Sequence, residues 1–133
     1  MKKISYILIG MYIAFGYSNA HAADDAKDKN LTCAAYYQTL SIFAPELVND
    51  LTSDQAVKAT FAFRKQVDGA MYVMTSNDEF IKRWRELDGE IPRPATSEGI
   101  SKFRAKYDST CRPLLRNAWC DAYKEHSKSA CPN

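Results

Sequence analysis

The chain has 133 residues, with 18 Lys plus Arg against 16 Asp plus Glu, four cysteines and two histidines. This near-balance lacks the basic excess of a nucleic-acid binder. The scarcity of histidine leaves little for nucleophilic catalysis, which needs a base beside the nucleophile.

The N-terminus sets the expected compartment. Lys2 and Lys3 precede an uncharged apolar run, Ile4 to Tyr17, and then Ala20-His21-Ala22. This is the layout of a cleaved secretory signal peptide. As a helix the run spans about 21 Å, short of the roughly 30 Å hydrocarbon core. Residues 1–22 are therefore expected to be removed, placing the protein in the periplasm or outside the cell, with no membrane insertion after cleavage. Lys2 and Lys3 leave with the signal and no acid does, so the exported chain carries 16 charges of each sign.

Residues 23–31 hold three aspartates and two lysines and nothing large and apolar before Leu31. They read as a flexible, charged lead-in to one helical domain, 32–133. Cys33, Tyr37, Leu40, Ala44, Leu47 and Leu51 form a helical stripe. Pro45 sits inside it, and because the register continues past the proline a kink is expected there. Thr52-Ser53-Asp54-Gln55 is a capping box. It opens a second helix with a stripe of Ala56, Thr60, Phe63, Val67, Ala70 and Met74, widened by Ala59 and Met71. Met71 and Met74 could be soft metal ligands, but at this spacing they read as core.

Ser76-Asn77-Asp78-Glu79 reads as another capping box, opening a short third helix that buries Phe80, Trp84 and Leu87. Gly89 is its expected left-handed stop. A loop with Pro92, Arg93 and Pro94 follows. The stretch from Ser97 to His126 is the element the rest is expected to be tied to. Ile100, Phe103, Tyr107, Cys111, Leu114 and Ala118 share one helical register, and Cys120 falls outside it. Pro113 makes a kink or a break into a fifth helix equally expected. No segment alternates in the manner of a strand. The expected fold is all-α, a four- or five-helix bundle stapled by two disulfides.

The four cysteines, Cys33, Cys111, Cys120 and Cys131, suit two bridges in an exported chain. They lack zinc spacing and a haem-attachment motif, so no metal and no cofactor is expected. On a continuous helix Cys111 and Cys120 point to opposite faces. The tail beyond His126 reaches about 17 Å, too little to return along roughly 22 Å of helix to Cys111. The expected pairs are Cys33–Cys111 and Cys120–Cys131.

No catalytic set stands out. His126 reads as a solvated surface residue, and Glu86, Asp88 and Glu90 as part of a charged helix end. The expected partner surface runs from Lys82 to Arg93, with Arg83, Arg85 and Arg93 in the lead, because arginine is enriched in interface hot spots. Tyr36, expected at the edge of the first stripe or outside it, is a further candidate anchor. Thr32-Cys33 soon after a charged start, with another cysteine late in the chain, resembles the small acid-stress chaperones of the enteric periplasm. Cys120 and Cys131 depart from that pattern. Periplasmic immunity proteins and phage-borne inhibitors of lysis enzymes are similar in class.

The expected function is thus a small exported binding protein or inhibitor with a protein partner, such as an immunity protein or an inhibitor of a cell-wall hydrolase. A periplasmic stress chaperone is the alternative, and an enzyme with an unrecognised site is the second.

Overall fold

A computed structural model gives the fold and describes residues 17–123. Most of the predicted signal peptide lies outside these residues, as do His126 and Cys131. Among the described residues the secondary structure is all helical: α1 (Tyr17–Phe43), α2 (Ser53–Asp68), a 3-10 turn (Gly69–Met71), a single-turn α3 (Tyr72–Thr75), α4 (Asn77–Asp88) and α5 (Ser97–Tyr123).

The organising element is α1, not the last helix. It packs against α2, α4 and α5, whereas α5 packs against α1 and α2. Its central turns, Cys33, Ala34, Ala35 and Tyr36, are fully buried. Ala56, Ala59 and Ala62 of α2 are also fully buried. Small side chains on both helices let their backbones approach closely. Two buried threonines, Thr39 and Thr60, turn their hydroxyls onto the carbonyls of Ala35 and Ala56, one turn back, so neither is left unsatisfied.

Residues 23–31 are helical turns of α1 rather than an irregular lead-in. Their side chains are exposed up to Lys29, and cross-links hold them. Lys27 pairs with Glu79 at 2.9 Å, and Asp28 pairs with Arg83.

Pro45 ends α1 rather than kinking it, and the Ala44–Pro45 peptide is cis. Proline has no N–H for the carbonyl of Ser41. The Ser53 hydroxyl takes that place, 3.0 Å from the Ser41 carbonyl and 2.7 Å from that of Ala44. Leu47 and Leu51 therefore pack from a loop, beside the buried Val48.

The box at Thr52 forms as expected. Thr52 Oγ1 accepts from the Gln55 N–H at 3.1 Å, and the Gln55 side chain accepts from the Thr52 N–H at 2.9 Å. Past Val67, which is half-buried against the core, the expected stripe stops. Gly69 adopts φ +59°, a left-handed region that favours glycine, and caps α2 at Asp68. Met71 and Met74, in phase with a helix that has already ended, emerge 54% and 78% exposed.

The box expected at Ser76 does not form. Ser76 has φ −110° and ψ 14°, because α3 runs almost directly into α4, and its side chain makes no cap hydrogen bond. An N-cap needs an extended residue there. Phe80 and Leu87 are buried and Trp84 is half-buried. Gly89 is right-handed at φ −66°, not left-handed, and the chain tightens through Glu90 N–H to Leu87 and Ile91 N–H to Asp88.

α5 is continuous through Pro113. Both Pro113 and Ser109, whose carbonyl loses its donor, are exposed, so that carbonyl is open to solvent. The cap is Thr96, whose Oγ1 accepts from the Gly99 N–H at 3.1 Å. Ile100, Phe103, Cys111 and Ala118 are buried and Tyr107 and Leu114 half-buried, which is the expected register. The loop before α5 is pinned by Glu90. Its carboxylate accepts from Lys106 at 2.9 Å and from the Tyr107 hydroxyl at 2.7 Å.

The described residues contain one disulfide, Cys33–Cys111, which joins α1 to α5 with a Cα–Cα distance of 5.3 Å. The other expected bridge ends at Cys131, outside the described residues.

Candidate functional site

One side of α1 carries a dense polar network. Arg104, Asp108 and Arg112 sit four residues apart along α5, so they line one face of it. Across from them α1 presents Tyr36, Tyr37 and Leu40. The loop between α1 and α2 closes the rim with Asp50 and Leu51. Together with Leu115 these residues enclose a pocket of about 180 Å³.

Asp50 is the hub. Arg104 donates to both its oxygens, at 2.7 and 2.8 Å, and Arg112 donates to one of them at 3.0 Å. Such a fork on a carboxylate fixes angle as well as distance. Deeper in, the buried Tyr36 hydroxyl donates to Asp108 Oδ1. The second oxygen of Asp108 has Arg104 Nε at 3.5 Å and Arg112 at 4.0 Å.

The charges tune one another. Hydrogen bonding from Arg104 holds the Asp50 carboxyl well below the usual carboxylate range, at about 2. The same bond raises Arg104. Burial, and then the hydrogen bond to Asp108, push the Tyr36 phenol far up. Burial likewise pushes Tyr37 up to about 12. At neutral pH Asp50 is therefore ionised beside the charged Arg104, and Tyr36 and Tyr37 are neutral phenols. Among the described residues, no set of three or more His, Cys, Asp and Glu side chains is grouped to hold a metal.

Asp50 makes a pH prediction. Its folded value, about 2, is below the ordinary 3.8. Its contribution to stability is thus present above about pH 4 and lost as pH falls toward 2. Urea midpoints of the parent are expected to fall between pH 4 and 2 more steeply than those of Asp50→Asn. Parallel profiles for the two proteins would show that Asp50 does not couple to folding.

Of the expected partner residues, Tyr36 belongs to this site, whereas Arg83, Arg85 and Arg93 lie elsewhere. Arg83 donates to Thr32 Oγ1 at 3.0 Å and pairs with Asp28, tying α4 to α1. Arg93 reaches both oxygens of Asp88 at 2.8 Å and sits 5.3 Å from the centre of the Phe43 ring. Arg85 is exposed and makes no ion pair among the described residues. It lines a shallow groove on α4 with Asp78, Ile81 and Lys82. Tyr36, expected at the edge or outside, is fully buried, so it is not a surface anchor. Three helices surround α1, and its buried face is wider than one stripe.

Sequence reasoning missed Asp50, Arg104, Asp108 and Arg112. The signal on α5 was present as alternating charges at helical spacing, a pattern that ordinarily marks a solvated face. Comparison with protein-family models, curated proteins and solved structures gives no match.

Proposed function

We propose that this chain is a small exported helical binding protein that engages a protein partner, in the manner of an immunity protein or an inhibitor of a cell-wall hydrolase. The observation that carries this reading is the exposure of Met71 and Met74 on the short segment between α2 and α4. Flexible, polarisable methionines are over-used at binding surfaces, where they repack around a partner. Arg85 follows on α4 with its guanidinium unpaired among the described residues. Export rests on the N-terminal sequence, and the Cys33–Cys111 bridge is compatible with it. The second bridge, Cys120–Cys131, belongs to the same reading as a short staple at the end of α5.

The test begins with immobilised protein in periplasmic extract and identification of what it retains. Affinity for that protein is then measured for Met74→Asp and Arg85→Ala, with folding checked by circular dichroism. Each is expected to weaken binding roughly thirtyfold, the effect of losing about 2 kcal/mol at a hot spot. Unchanged affinity in both folded variants, or retention of nothing above a control matrix, would overturn the reading.

A further inference from the structure

The polar network at α5 has more donors than its own acceptors use. Asp50 accepts three short hydrogen bonds, two from Arg104 and one from Arg112, on its roughly four acceptor positions. Asp108 Oδ1 is taken by Tyr36. A guanidinium has five N–H donors. Arg112 spends one at 3.0 Å on Asp50, and its remaining contact, to Asp108, is long at 4.0 Å. Its side chain is 61% exposed, at the mouth of the pocket. Behind this open edge the lining turns apolar, with Leu40, Leu51 and Leu115 and the body of Tyr37. One wall therefore offers unused charged donors, and the interior offers a place for a small hydrocarbon.

We infer that this pocket binds a small monocarboxylate with a short branched apolar body, its carboxylate on the free edge of Arg112 and its hydrocarbon among Leu40, Leu51 and Leu115. Size restricts the class. A volume of about 180 Å³ is below the roughly 300–1,000 Å³ of sites for drug-sized ligands, so the occupant is a small molecule. Charge decides the head group. Asp50 and Asp108 Oδ1 accept from groups within the fold and Asp108 Oδ2 faces Arg104 and Arg112 at 3.5 and 4.0 Å, so the exposed edge of Arg112 is the donor left for an added acceptor. A planar carboxylate matches the guanidinium fork with two acceptor oxygens, whereas a neutral amide offers one acceptor and no charge. The inference does not depend on Met71, Met74 or a protein partner.

The probe is 3-methylbutanoate, with 3-methylbutanamide as its neutral counterpart, titrated into the isotope-labelled protein and followed by amide chemical shifts. Saturable shifts are expected, concentrated at Tyr37 to Leu40, Leu51 and Arg112 to Leu115. The amide is expected to bind at least tenfold more weakly. Arg112→Gln, an exposed substitution that leaves the core untouched, is expected to lower affinity for the acid to that for the amide. No saturable shift with the acid would overturn the inference. So would equal binding of acid and amide, or an Arg112→Gln variant, shown folded by its spectrum, that binds the acid like the parent.

Discussion

Replacing Cys33 and Cys111 together by alanine is expected to cost about 4 kcal/mol of folding stability. The bridge spans 78 residues in sequence. In the chain-entropy account, a loop of that size confines the unfolded ensemble by about this amount. Both sulfurs sit in the fully buried seam between α1 and α5, so alanine also leaves unfilled volume there. For a domain of this size the loss corresponds to a fall in melting temperature of about 20 °C. The measurement is thermal and urea unfolding of the double variant beside the parent. A shift of only a few degrees would mean that helix packing alone closes the chain.

The second large effect is expected at Tyr36. Its ring meets those of Tyr37, Phe103 and Tyr107 at centroid distances of 5.0, 5.5 and 5.8 Å. Tyr36→Ala removes the middle of this cluster and is expected to cost about 3–5 kcal/mol, as for other buried aromatics. Tyr36→Phe keeps the ring but strips Asp108 Oδ1 of its donor, and is expected to cost about 1–2 kcal/mol. The pair separates packing from hydrogen bonding. The raised phenol adds a pH signature. Folding favours the neutral form, so its contribution is complete below the ordinary value near 10 and is lost above it. In Tyr36→Phe the alkaline loss of stability is expected to flatten. Equal losses for the two variants, measured by urea unfolding, would assign the whole effect to the hydroxyl and refute the packing account.

The helical class and the α5 register were legible because an amphipathic helix with one buried side obeys a single period. Cys111 falls on that period, and its pairing followed from the opposite placement of Cys120 together with the short reach of the tail that carries Cys131. Tyr36 was not legible for the same reason. A stripe analysis assumes one packing side, and α1 has three neighbours. Met71 and Met74 show the converse error, since the apolar period runs on in the sequence after Gly69 has ended the helix. At Pro45 the persistence of register likewise hid a chain break, because Leu47 and Leu51 reach the core from a loop. The pocket's rim residue Asp50 lies in that loop. A loop aspartate has no period, and its role is set by two arginines more than 50 positions away.

The central position of α1 has a consequence in time. The ribosome makes this helix first and the helix carrying its disulfide partner last. At about 5–20 residues per second, the 78-residue interval between Cys33 and Cys111 takes roughly 4–16 s. Throughout that interval Cys33 has no native mate, and the aromatic flank that α5 will cover faces water. During that interval α2 and α4, which precede α5 in the chain and pack on α1, are the elements available to cover it.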